Sequence, residues 1–171
     1  MEGFIAIGRL TKPHGLRGEL VFLPYFYDLD LLPALITQKI FLHHSQTPEQ
    51  PHTVDTWRLA HKRVLVQLAG CKDVTSAERW REYEVVVPRS RFPALPVGEY
   101  YWFEIEGLAV YDDAGSYLGR VAEIIYTGSN DVYVVQDGVQ ERLVPALHAM
   151  IRTIDVEHGA MHLAVTAERL D

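Results

Sequence analysis

Between residues 88 and 98 the chain reads Pro-Arg-Ser-Arg-Phe-Pro-Ala-Leu-Pro-Val-Gly, with prolines at 88, 93 and 96. Proline fixes φ and lacks a backbone donor, so this stretch sustains neither a helix nor an interior strand. It is expected to be a linker over 89–97, joining one domain at 1–88 to another at 98–171. The charge changes at the same place. Residues 1–95 hold 12 Lys+Arg and 10 Asp+Glu, a net of +2, whereas residues 96–171 hold 4 and 13, a net of −9. The two sums recover the formal −7 of the chain, and no lysine follows Lys72. The halves therefore present different fields to a partner; the acidic one either simply keeps the chain in solution or faces a basic protein, and it is ill suited to naked nucleic acid.

Both halves read as β. Gly3 to Lys12 and Leu16 to Leu23 are apolar, β-branched runs separated by Pro13-His14-Gly15, which predicts a hairpin or tight connection. Further strands are expected at Lys39–His43, Thr53–Ala60, Arg63–Ala69 and Tyr83–Val87. In Arg63–Leu68 the residues Val64, Val66 and Leu68 alternate with Arg63, Leu65 and Gln67, the period of a barrel strand with one buried face. One helix is predicted, capped by Asp73 or Thr75, with Glu78 completing a capping box on Thr75. After the linker, Leu108–Tyr111, Val121–Tyr126, Val132–Gln136, Arg142–Val144 and Met161–Val165 are strand-like, punctuated by Asp112-Asp-Ala-Gly115, Asp137-Gly138 and His158-Gly159. Ala146 to Met150 suits a helical turn. The fold class is thus mainly β, with two small β-barrel domains.

Composition narrows the function. With 48% hydrophobic residues over 171 positions the chain can bury a core without metals or staples. Its one cysteine, Cys71, excludes an intrachain disulfide and a cysteine zinc site. The first ten residues lack a secretory pattern and no apolar run approaches the roughly 20 residues that span a bilayer, so a cytoplasmic chain is expected. Cys71 lies between Gly70 and Lys72 without a nucleophile signature. His43 and His44 are adjacent and in a strand face opposite ways, which prevents joint chelation. Asp112-Asp113 precede Ala114-Gly115 as a turn requires, without EF-hand spacing. Phosphate-loop, dinucleotide-binding and zinc-protease motifs do not occur. No catalytic residue, metal, cofactor or small-molecule substrate is expected.

Two segments exceed what core packing asks for. In Gly8-Arg-Leu-Thr-Lys-Pro-His-Gly-Leu-Arg-Gly-Glu-Leu20, the cationic Lys12, His14 and Arg17 crowd a loop tightened by Gly15 and Gly18, an arrangement able to offer charge and backbone donors to phosphate. An ordinary hairpin with solvated charges explains the residues equally well. In Glu99-Tyr-Tyr-Trp-Phe-Glu-Ile-Glu-Gly-Leu108, four consecutive aromatics in an extended segment would alternate between faces, one packed and one presenting rings beside acids. Burial of both faces is the competing reading.

At these segments the chain resembles the ribosome maturation factor RimM family, also called the 16S rRNA-processing protein family. Gly8 to Leu20 is similar to that family's opening signature. Tyr100-Tyr-Trp102, Gly107-Leu-Ala-Val110, Gly115-Ser-Tyr-Leu-Gly119-Arg-Val121, Asn130-Asp-Val-Tyr-Val134 and Leu143-Val-Pro145 resemble its photosynthetic-reaction-centre (PRC) barrel in order. The likeness covers nearly the whole chain, with 40–60 least diagnostic. It implies an elongation-factor-like six-stranded barrel, a Pro-rich linker and a PRC barrel. It also implies a non-catalytic assembly factor that binds the immature 30S subunit and its 16S rRNA, helps the 3′ (head) domain mature, and contacts ribosomal protein nineteen of the small subunit. The paired tyrosines of the family's second domain correspond to Tyr100 and Tyr101. With Trp102 and Glu104 they are the expected protein-binding residues. Lys12, His14, Gly15, Arg17 and Gly18 are the expected ribosome-facing loop. Glu104 stands where the family pattern leads one to expect Asp, and the end Ala167–Asp171 lacks the family's Gly-Leu-Leu-like finish. An RNA-processing enzyme and an adaptor unrelated to ribosomes are the alternatives.

Overall fold

The computed structural model describes residues 3–36, 39–45 and 47–170, so Met1, Glu2 and Asp171 of the terminal stretches considered above lie outside the described residues. The chain divides into two compact units, with the boundary between Ala94 and Leu95.

In the first unit, β1 (Phe4–His14) and β2 (Glu19–Pro24) lead to a helical turn α1 (Leu32–Leu35), then β3 (Lys39–His44), β4 (Thr47–Ala60), β5 (Arg63–Leu68), α2 (Val74–Glu78) and β6 (Glu84–Pro88). The strands close into a barrel in the order β1-β2-β5-β4-β3-β6. Closure leaves no edge to protect, and Ile7, Leu10, Leu20, Phe22, Leu42, Val66 and Leu68 fill the interior. Sequence alternation in β5 is realised at Val64, Val66 and Leu68, but Leu65 on the other face is also buried, at 1% exposure.

Two local expectations are corrected. Pro13 and His14 belong to β1, and the turn is formed by residues 15–18 instead. Pro13 is accommodated because the β1–β2 register shifts between Leu10 and Pro13, an irregularity that tolerates a missing donor. The cap of α2 is Asp73, whose Oδ1 accepts from the Ser76 N–H at 2.7 Å while the Asp73 N–H donates to Ser76 Oγ at 3.2 Å. Ser76 rather than Glu78 thus closes the box, and Glu78 pairs with Arg81 at 3.1 Å.

In the second unit, α3 (Trp102–Ile105) precedes β7 (Ala109–Tyr111), β8 (Tyr117–Ile125), β9 (Val132–Asp137), β10 (Gln140–Pro145), β11 (Ile151–Asp155) and β12 (Ala160–Leu163). They form one curled sheet, β10-β9-β8-β7-β12-β11, in which only the β7–β12 pair is parallel. Val110, Leu118, Val121, Val135, Val144, Met161 and Leu163 make its core. The turn at 146–150 is closed by the Leu147 carbonyl, which accepts from the N–H groups of Met150 (2.8 Å) and Ile151 (3.0 Å).

Asp112 is the buried polar side chain of this core, at 6% exposure. Its Oδ1 accepts from the N–H groups of Ala114 (3.0 Å) and Ser116 (2.8 Å), and its Oδ2 from Ala167 (3.4 Å). These bonds shape the predicted Asp112–Gly115 turn and fasten the C-terminal segment to it. They hold the carboxyl below its usual range, the Ser116 N–H foremost, against the opposing pull of desolvation.

Candidate functional site

The glycine loop of the first unit is built by backbone contacts. Gly15 and Gly18 both hold positive φ, +62° and +79°. Around Gly15 a Cβ would meet open space, whereas at Gly18 it would fall 2.4 Å from the Cys71 carbonyl oxygen. Gly18 is therefore required by close approach, and Gly15 by conformation alone. Gln67, opposite Glu19 in the β2–β5 ladder, ties the loop down: its Nε2 donates to the carbonyls of Arg17 (2.7 Å) and Cys71 (3.0 Å). The loop is anchored through its main chain while Lys12 and Arg17 are exposed and His14 is half-buried. Lys12, His14 and Arg17 make no ion pair among the described residues. Cys71, beneath the loop, is buried, and burial pushes its thiol upward, away from nucleophilic use.

The aromatic segment of the second unit departs from the extended strand expected of it. Residues 102–105 form one helical turn with Tyr101 as its cap. The Glu104 N–H donates to the Tyr101 carbonyl at 3.0 Å, and Glu104 Oε2 accepts from the Tyr101 N–H at 3.0 Å. This reciprocal closure overrides the strand preference of four aromatics in a row. Winding replaces alternation, and the rings segregate differently. Trp102 and Ile105 are buried at 8% and 2% exposure. Tyr101 stacks on Phe103, with centroids 5.3 Å apart and planes 13° from parallel. Tyr100 is also half-buried, its hydroxyl donating to the Ile154 carbonyl of β11 at 3.4 Å. Tyr100 and Tyr101 thus each remain partly accessible, while the buried Trp102 lies edge-on to Tyr101 with centroids 6.4 Å apart. Glu104 serves first as the clasp of the turn.

Sequence reasoning passed over two sets of residues. Asp112 was legible as a turn residue but not as a buried anchor, because its third donor, the Ala167 N–H, lies 55 positions away. The β4–β5 hairpin, with Arg58, His61, Lys62 and Arg63, carried no glycine or asparagine to mark its turn.

Among the described residues no group of three or more His, Cys, Asp or Glu side chains is placed to hold a metal ion, and no helix is long and apolar enough to cross a membrane. The architecture defines a class: a mainly β protein of two consecutive small domains, a closed six-stranded barrel and a curled six-stranded sheet. Family models resolve that class further. The RimM N-terminal domain matches residues 5–92 and the RimM PRC barrel domain matches residues 102–166. The chain belongs to the RimM family. Among its relatives, the ribosome maturation factor RimM of Geobacter metallireducens is 35% identical, over 98% of this chain and 95% of that protein. Those of Thermosipho africanus and Pseudomonas syringae pv. tomato are 36% and 34% identical, over 92% and 98% of this chain and 89% and 95% of theirs.

Proposed function

We propose that this protein is a non-catalytic assembly factor for the small ribosomal subunit, acting in the cytoplasm on the maturation of the 3′ domain and the processing of 16S rRNA. The observation that carries the reading is the match of both family domains, in order, to relatives that are named ribosome maturation factors along nearly their whole length. In this reading the second domain binds ribosomal protein nineteen of the small subunit. Tyr100 and Tyr101 supply the contact, Trp102 the packed support beneath them, and Glu104 the turn that aims them. A net charge of −9 over residues 96–171 has the sign that steers a basic partner. The first domain faces rRNA with Lys12, His14 and Arg17, on a loop shaped by Gly15 and Gly18.

No nucleotide, metal or turnover enters this mechanism. The factor holds protein and RNA in an arrangement that immature particles share and mature ones do not, so differential affinity alone gives it direction. The test is co-sedimentation of the purified chain with immature and with mature 30S subunits. Saturable retention on immature particles and weak retention on mature ones is expected. Equal retention on both removes the directional mechanism, and cleavage of precursor rRNA by the purified protein alone replaces it with an enzyme.

A further inference from the structure

The outer face of the β4–β5 hairpin, on the first unit, forms a groove lined by His14, Arg58, His61 and Arg63, with the buried Leu65 at its floor. Arg58 faces Leu65 and Ala60 faces Arg63 across the ladder, so these groups share one side of the hairpin. The turn between the strands is made by His61 and Lys62, at φ +46° and +65°. Two consecutive residues in the left-handed region are what a tight hairpin turn needs, and Asn-Gly supplies them at least cost. Here the chain carries a histidine and a lysine instead, each with a Cβ that disfavours this conformation. Such strain points to a use for the side chains themselves.

The electrostatics single out the kind of ligand. Arg58 closes a two-point ion pair with Glu19, at 2.7 and 2.8 Å, which neutralises that carboxylate and fixes the guanidinium at the groove wall. Lys62 and Arg63 are exposed and make no ion pair among the described residues. A groove with the uncompensated Arg63, two imidazole rings and an apolar floor, and with the exposed Lys62 on the turn beside it, suits a chain of phosphates linked by sugars and flat bases.

We propose that this groove and the turn beside it bind the phosphodiester backbone of small-subunit RNA, with Arg63 in the groove and Lys62 on the turn as the phosphate contacts and His14 and His61 at the groove's sides. The proposal rests on the ribosomal reading above and extends its RNA-facing surface from the Lys12–Gly18 loop, through the shared His14, onto the β4–β5 hairpin.

The test is fluorescence anisotropy of a labelled transcript of the 16S rRNA 3′ domain, titrated with the full chain over a range of salt. Ribosomal protein nineteen is titrated in parallel. A Lys62→Gln/Arg63→Gln variant is expected to bind RNA at least tenfold more weakly at low salt. Its slope of log affinity against log salt should flatten by about 1.4 to 1.8, two phosphate contacts' worth, with binding to the ribosomal protein unchanged. A second variant, His61→Asn/Lys62→Gly, relieves the turn and is expected to melt at higher temperature while binding RNA more weakly. Folded variants that bind RNA like wild type overturn the groove. So does competition by polyglutamate equal to that of an RNA of the same charge, which makes the surface one for acidic protein. Absence of wild-type RNA binding also overturns it, and the parallel protein titration then shows whether the ribosomal reading stands without it.

Discussion

The two candidate surfaces are stabilised in opposite ways. In the glycine loop the main chain is fixed, by Gln67 and by the approach of Gly18 to Cys71, and the cationic side chains are left outside. In the aromatic turn the side chains do the fixing: Trp102 is buried, Phe103 stacks on Tyr101, and Glu104 clasps the Tyr101 N–H. A surface of the first kind can change its charges at little cost to the fold. In the second kind, the rings proposed to bind are the ones that stabilise the turn, so a substitution there must be read with both quantities measured.

The largest effect should come from Gly18. Gly18→Ala places a methyl against the Cys71 carbonyl at a positive φ, and a loss of about 2 to 4 kcal/mol in urea denaturation is expected. Gly15→Ala, facing open space, should cost only about 1 kcal/mol. Equal costs would mean that the close approach does not govern the loop. Next come the tyrosines: Tyr100→Ala with Tyr101→Ala should lower affinity for ribosomal protein nineteen by more than about 2 kcal/mol. Tyr100→Phe removes only the hydrogen bond to Ile154 and should cost roughly 0.5 to 1 kcal/mol of stability.

Glu104→Ala should destabilise the second domain by about 1 kcal/mol, whereas Glu104→Gln retains an acceptor for the Tyr101 N–H and should lose less. Thermal melts of both variants compare clasp with charge. Acid should weaken the same domain through Asp112. Because its native pKa lies below the ordinary 3.8, its stabilisation is complete above that value and is lost as pH falls through the native one. Asp112→Asn should melt lower at neutral pH and show a shallower fall of Tm on acidification. The smallest effect on the fold is expected from Lys12→Ala with Arg17→Ala. Stability should stay within about 0.5 kcal/mol, while the salt dependence of binding to immature subunits flattens.

How far these features were legible in the residues follows from how local their causes are. Alternation in β5, the Asp112–Gly115 turn and the break in charge and proline content need only neighbours along the chain. The aromatic turn was missed because strand propensity, a single-residue average over many contexts, lost to one reciprocal clasp between Tyr101 and Glu104. β11 (Ile151–Asp155) was missed because Arg152, Thr153 and Asp155 dilute its apolar pattern, and pairing with β12 defines it. The β4–β5 connection was bracketed by the strands expected at Thr53–Ala60 and Arg63–Ala69, but its tight turn type was hidden because His61 and Lys62 do the work normally assigned to glycine or asparagine. For the sites, residue types pointed to both segments. Whether backbone or side chain holds each in place depended on Gln67, Cys71 and Ile154, partners distant in sequence.

The central claim is that the second domain engages a basic ribosomal protein through Tyr100 and Tyr101. Calorimetric titration of the chain with ribosomal protein nineteen of the small subunit, at two salt concentrations and beside the folded Tyr100→Ala/Tyr101→Ala variant, tests it directly. Saturable binding that weakens with salt and disappears in the variant is the predicted result. Binding that the folded variant retains in full, or no binding by the wild-type chain, would contradict it.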